Sequence, residues 1–83
     1  MDNEEIKHLI EAGVTASEAT VDGDGTHFQA IVISAAFQGL GLVKRHQLVY
    51  AALGKRMGAE IHALSIQTYT PQEWQESKPL PVL

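Results

Sequence analysis

The 83-residue sequence contains no cysteine, so neither a disulfide framework nor thiolate ligands for a structural metal can stabilise it. It also lacks any apolar run close to the roughly 18 residues that a membrane-spanning helix needs. Its acidic start, MDNEEIKHL, does not have the charged-then-apolar pattern of a secretory signal. These absences predict a cytoplasmic protein with no membrane partner, and the length of 83 residues fits a single domain.

Basic residues are scarce, with six lysines and arginines against ten acidic residues and a net charge of −4. This balance argues against nucleic-acid binding by the whole surface. Four of the six lie in one short segment, however, as Lys44, Arg45, Lys55 and Arg56. Such residues are usually the solvated face of an amphipathic helix, but they would also suit contact with phosphates or with an acidic partner. No aromatic or amide pattern indicates that bases are read.

The periodicity of apolar residues predicts alternating helices and strands. We expect a helix over 2–12 that ends at Gly13, followed by a hairpin of strands 18–22 and 28–33 joined by GDG. A second helix is expected over 42–57, with a break at Gly54, and a third strand over 61–70. A short helix then begins with a capping box of Thr70 and Glu73, with Pro71 as its first residue. The third strand follows a helical crossover, which favours a parallel neighbour.

The predicted fold class is α+β, a three-stranded mixed sheet with helices packed on it in the order α-β-β-α-α-β-α. Residues 1–76 are expected to form a single domain, and residues 77–83, with two prolines, a flexible C-terminal tail.

No constellation of residues indicates an enzyme. The serines are isolated from any nucleophile elbow, and the glycines match neither a P-loop nor a dinucleotide fingerprint. Asp22 and Asp24 could form an acid–base pair, but in a hairpin turn they are better explained as turn formers. A chain of this size also has little room for a deep pocket.

The histidines allow more than one interpretation. His46 lies on the apolar stripe of the main helix, which predicts a neutral, hydrogen-bonded core histidine. His27, beside the turn, is on its own a surface or turn residue, and His62 is on its own a histidine at the edge of the core. Two histidines are too few for a closed metal site. If they bind metal, the other ligands come from another molecule, and imidazole can replace a thiolate on iron–sulfur iron.

Several motifs in the second half of the chain resemble the BolA family. They are Phe37-x-Gly39, Val43-x-Arg45-His46-x-x-Val49-Tyr50, His62-Ala63-Leu64-Ser65-Ile66 and Thr70-Pro71-x-Glu73-Trp74. The stretch GDGTHF at 23–28 is similar to a bacterial subgroup of the family that is associated with acid stress and often called IbaG. The resemblance implies a fold similar to a class II KH domain, with the same order of elements as the periodicity predicts.

The resemblance also implies a partner, the monothiol glutaredoxins of the CGFS type. In those heterodimers a [2Fe-2S] cluster is bridged by the glutaredoxin cysteine, a glutathione thiol and ligands from the BolA-like protein. The ligand positions of the family map to His62 and, in the loop between the first two strands, to His27. No cofactor is expected in the isolated chain.

A second implication is transcriptional control through a helix-turn-helix-like segment, which maps to residues 37–57. Duplex DNA would then be the alternative partner, contacted by the basic residues named above. Leu40 stands where many members carry a basic or polar residue, and this departure weakens phosphate contact at the turn. Whether the chain forms a weak homodimer stays open.

Overall fold

Within residues 1–77, three strands form one mixed sheet, and three α-helices accompany it. The structure is a computed structural model that describes residues 1–77. Its elements are α1 (Asn3–Gly13), β1 (Ser17–Gly23), β2 (His27–Ser34), a 3₁₀ turn (Ala35–Phe37), α2 (Leu42–Leu53), a second 3₁₀ turn (Gly54–Arg56), β3 (Ala63–Tyr69) and α3 (Pro71–Ser77). The sheet order is β1-β2-β3, with β1 antiparallel and β3 parallel to β2. The predicted fold class and order of elements are therefore confirmed, with a 3₁₀ turn in place of the second of the two consecutive helices.

The core lies between one face of the sheet and the helices α1 and α2. Apolar residues at helical spacing on α1 and α2 meet every second residue of the strands, as the two periodicities require. Its fully buried members include Ile6 and Ile10 of α1, Phe28 and Val32 of β2, and Val49 and Leu53 of α2. The opposite face of β2, at Gln29 and Ile31, is more accessible to solvent.

The sequence predicts Gly13 as the C-cap of α1, but the structure does not use it as the cap. Gly13 is the last residue of the helix, and Val14 takes the capping position, with its N–H donating to the Ile10 carbonyl at 2.8 Å. A Cβ atom at Gly13 would overlap the Cβ atom of Ala52 in α2. The missing side chain of Gly13 therefore allows the close approach of α1 to α2 at this point.

The periodicity of α2 places Leu42 and Val43 on its apolar stripe, but the structure does not bury this first turn of the helix. The predicted break at Gly54 is confirmed, since α2 ends at Leu53. Leu42 and Val43, however, are 65% and 69% exposed. The helix is anchored by Val49 and Leu53 in its C-terminal half, so its first turn extends beyond the core.

The sequence predicts that a flexible tail starts at Ser77. Ser77 is still the last residue of α3, and the rest of the tail, 78–83, lies outside the described residues. Within residues 1–77, no helix is both long enough and apolar enough to cross a membrane.

Candidate functional site

The two predicted ligand histidines lie at the same end of the sheet. His27 is the first residue of β2 and pairs in parallel register with Ala63, the first residue of β3; His62 directly precedes Ala63. Neighbouring strands lie about 4.8 Å apart, so the backbone brings the two histidines side by side although 35 positions separate them in the sequence. Both residues are exposed to solvent.

No hydrogen bond or ion pair joins the two imidazoles within residues 1–77. His27 lies on the open face of the sheet, since the next residue, Phe28, is buried in the core. It lines a shallow cleft together with Asp22, Gly23, Asp24 and Gln29, which His62 does not reach.

Strand alternation does not fix the direction of His62. Ile61 is fully buried and Leu64 packs against the core. These two inward-facing residues are three positions apart, whereas inward-facing residues of a regular strand are two positions apart. The convergence of the two rings on one cluster therefore stays a prediction.

A tight turn anchored in the core leads into His62. The carbonyl of Arg56 accepts the N–H groups of Ala59, Glu60 and Ile61 at 3.2, 3.0 and 2.9 Å. Because the Ile61 side chain is fully buried, the turn cannot shift freely. The backbone before His62 is thus fixed, while its imidazole is accessible to a second molecule.

A second turn, built by Asp24, leads into His27. Its Oδ1 atom accepts the N–H groups of Thr26 and His27, both at 2.9 Å. These two donors, that of His27 first, hold the pKa of Asp24 below its ordinary value. The interpretation of Asp24 as a turn former is confirmed.

Two imidazoles are an incomplete set of metal ligands. Among the described residues, no group of three or more His, Asp or Glu side chains is placed to hold a metal ion, and the sequence has no cysteine. A closed structural zinc site needs four ligands. The donor set of the described residues therefore fits a cluster shared with a molecule that supplies the remaining ligands.

The prediction of a hydrogen-bonded core histidine at His46 is confirmed only in part. It is half-buried on α2, as expected for a histidine at the edge of the core. Its Nε2 atom is buried and has no hydrogen-bond partner within residues 1–77, so the predicted hydrogen bond is absent at this atom.

Arg45 is engaged inside the chain. Its Nη1 and Nη2 atoms donate to the Glu73 carboxylate at 2.6 and 3.1 Å, and its Nε atom donates to the Leu40 carbonyl at 2.8 Å. The guanidinium carbon also lies 5.8 Å from the centre of the Phe37 ring, within the range of a cation–π contact. With its side chain only 12% exposed, Arg45 joins α2 to α3 and is not presented to a ligand.

The other three basic residues are exposed. Lys44 lies in the first turn of α2, and Lys55 and Arg56 lie in the 3₁₀ turn that follows it. Within the part of the chain that the structure describes, none of the three forms an ion pair. The free positive charge of this segment thus comes from three residues and not from four.

Glu73 makes the predicted capping box and a contact that the sequence did not reveal. The N–H of Thr70 donates to Glu73 Oε1 at 2.9 Å, and the N–H of Glu73 donates to Thr70 Oγ1 at 3.1 Å. The ion pair with Arg45 joins residues 28 positions apart, a separation for which no local spacing rule exists. The Arg45 guanidinium, followed by the Thr70 N–H, holds the pKa of Glu73 down to about 2.

We expect Glu73→Gln to lower the thermal stability at neutral pH and to have little effect in strong acid. The folded-state pKa is depressed, so the ionised carboxylate stabilises the fold above its unfolded pKa, and this contribution is lost as the pH falls from 4.5 to about 2. Melting curves of the unmodified chain and of Glu73→Gln, recorded from neutral pH to strong acid, check the prediction. Glu76→Gln on the same helix is the control, and a difference that does not change with pH would contradict the assignment.

Comparison with known proteins identifies the family. The model of the BolA family, described as BolA-like protein, matches residues 3–73. The acid stress protein IbaG of Escherichia coli is 40% identical over 81 residues, 96% of each chain. A solved structure of a BolA homologue from Coxiella burnetii is similar with a TM-score of 0.84 and 45% identity, covering 90% of this chain and 97% of that one. The chain therefore belongs to the BolA family, as its motifs predicted.

A further relative carries a functional name. The DNA-binding transcriptional regulator BolA of Vibrio cholerae is 48% identical over 54 residues, which are 65% of this chain and 51% of that protein. The matched part of that relative is thus about half of its length.

Proposed function

We propose that this chain is a non-enzymatic partner of a monothiol glutaredoxin of the CGFS type, and that it co-ligates a bridging [2Fe-2S] cluster through His62 and His27. The role would be cluster trafficking or the regulation of iron or stress responses. The observation that supports the proposal is the placement of two exposed histidines at the adjacent starts of β2 and β3. Thiols from a second molecule can reach such a pair at the surface.

The ligand set explains what each partner contributes. The imidazoles of this chain would occupy one side of the cluster, and the glutaredoxin cysteine and glutathione would supply thiolates to the other. A bound [2Fe-2S] cluster supplies an electron-accepting centre whose potential rises when neutral imidazoles replace thiolates. Only a deprotonated imidazole nitrogen can bind iron, so acid is expected to weaken the shared site.

Mixing the chain with cluster-loaded glutaredoxin and glutathione tests this function. We expect the visible absorption and circular dichroism to change from those of the glutaredoxin homodimer, and the two proteins to elute together as a heterodimer. An unchanged spectrum, with the proteins eluting separately, would contradict the proposal.

We infer a DNA-binding regulator as the second candidate, acting through residues 37–57. Two observations favour it. Residues 37–59 contain no carboxylate, so the charges of Lys44, Lys55 and Arg56 are not neutralised within the segment. The Vibrio cholerae relative is named for DNA binding. Arg45 would take no part, since its guanidinium already binds Glu73.

For this second candidate, we expect the affinity for duplex DNA to fall as the salt concentration rises. The slope of the logarithm of the binding constant against the logarithm of the salt concentration should be no steeper than about −2.7, because three phosphate contacts contribute roughly −0.9 each. Replacing Lys44, Lys55 and Arg56 together by alanine should abolish binding in a gel-shift titration. Lys7→Ala on α1, where the lysine is paired with Glu11 at 2.7 Å, is the control. The absence of any shift at low salt with the unmodified chain would exclude this candidate.

A further inference from the structure

The turn before His27 fixes the backbone of that histidine on both of its sides. The Asp24 carboxylate accepts the His27 N–H at 2.9 Å, and the N–H of Asp24 donates to the His27 carbonyl at 3.2 Å. One residue therefore binds both polar backbone groups of His27. The same carboxylate oxygen accepts the N–H of Thr26, which closes the turn.

Close packing against Gly23 adds a second restraint. A Cβ atom at Gly23 would lie 2.5 Å from the His27 carbonyl oxygen and 2.6 Å from Cδ1 of Phe28. Phe28 is itself only 2% exposed, in the core. His27 is thus held between a hydrogen-bonded turn and a buried neighbour, although its own side chain is exposed.

Such restraint matters for a ligand. An exposed histidine on a mobile loop would lose conformational freedom on binding, and that loss would weaken the complex. A histidine whose backbone is already ordered avoids most of this cost, leaving only its side-chain rotation to be fixed. The carboxylate that orders His27 does not have to touch the iron to affect its binding.

We propose that Asp24 is a positioning residue for His27, which orders the backbone of this ligand and thereby raises the affinity of the chain for the shared cluster. This inference rests on the proposed function and deepens it, since it assigns part of the binding strength to a residue that is not a ligand. It assigns to Asp24 a role that its neighbour Asp22 does not have. Within residues 1–77, the carboxylate of Asp22 accepts the adjacent Gly23 N–H, at 3.0 Å, and forms no hydrogen bond with His27.

The experiment compares three variants in titrations of glutaredoxin loaded with the [2Fe-2S] cluster and glutathione, followed by visible circular dichroism. We expect Asp24→Ala to weaken binding at least about tenfold, the lower range for residues that support a ligand. Asp24→Asn retains an acceptor oxygen and should bind close to the unmodified chain. Asp22→Ala removes the same charge from the same hairpin and should also bind normally, which separates positioning from charge.

Two further measurements make the outcome decisive. In the isolated chain, amide hydrogen exchange at Thr26 and His27 should accelerate in Asp24→Ala and stay slow in Asp24→Asn. In a His27→Ala background, Asp24→Ala should cause no further loss of affinity, because the residue acts through His27. An equal loss in that background, or normal binding by Asp24→Ala while His27→Ala binds weakly, would overturn the inference.

The failure of this inference can be told from the failure of the proposed function. If His27→Ala binds as tightly as the unmodified chain, His27 is not a ligand, and the role of Asp24 falls with it. If no variant and not even the unmodified chain forms the heterodimer, the proposed function itself is wrong.

Discussion

Replacing His62 by alanine is expected to abolish the heterodimeric cluster while leaving the fold intact. His62 is exposed and precedes β3, so its truncation should change the free energy of unfolding by less than about 0.5 kcal/mol. Loss of a residue that merely supports a metal ligand weakens binding about 10- to 100-fold, and loss of the ligand itself should exceed that range. Titration of cluster-loaded glutaredoxin, followed by visible circular dichroism, measures the loss.

Matched variants make the His62 result specific. His8→Ala removes another exposed histidine, on α1, and should leave the titration unchanged. His62→Cys offers a thiolate in place of the imidazole, so binding should return with a lower reduction potential. A heterodimer of His62→Ala with the unmodified spectrum would show that His62 is not a ligand. Loss in His62→Ala but not in His27→Ala would restrict the contribution of this chain to one ligand.

The parts of the fold that could be predicted from the sequence follow local rules. The capping box of Thr70 and Glu73 has a fixed spacing of three residues, and the GDG turn has residues that suit a hairpin. The parallel pairing of β3 with β2 followed from the rule for a strand that returns after a helical crossover. That pairing also brings His27 and His62 to one end of the sheet.

The parts that the sequence did not reveal depend on where elements meet in three dimensions. Gly13 looked like a helix cap, but its lack of a side chain serves the contact with Ala52 of α2. Val43 has the spacing of a core residue and is exposed, because periodicity does not show where the sheet beneath a helix ends. The ion pair of Arg45 with Glu73 joins two elements whose proximity only the fold creates.

In the candidate site, too, the positions of the backbone could be predicted from the sequence, but the direction of the His62 ring could not. The register of β2 and β3 places the backbones of His27 and His62, but the ring of His62 lies beyond the alternating part of β3. Its direction depends on the turn anchored by Ile61, a feature of packing and not of sequence period. The role of Asp24 was hidden for another reason, since a residue that forms a turn and a residue that orders a ligand have the same sequence signature.

Replacing Phe37 by alanine is expected to give the largest loss of stability. Phe37 is fully buried in the core and lies in the 3₁₀ turn before α2. Truncation of a buried phenylalanine costs about 3–5 kcal/mol, whereas a domain of this size has a total stability of about 4–12 kcal/mol. The Arg45 guanidinium would also lose the ring beneath it, so the ion pair with Glu73 should loosen. Urea unfolding followed by far-UV circular dichroism measures the shift of the midpoint.

Leu42→Ala is the control for Phe37, since it also removes a large apolar side chain a few residues away. Leu42 is 65% exposed, so its truncation should cost no more than about 0.5 kcal/mol. If Phe37→Ala were as stable as Leu42→Ala, the turn before α2 would not be anchored in the core. The losses of stability caused by Phe37→Ala and by Glu73→Gln should also be non-additive, because both changes remove a partner of Arg45. Strict additivity of the two would mean that the ring and the carboxylate act on Arg45 independently.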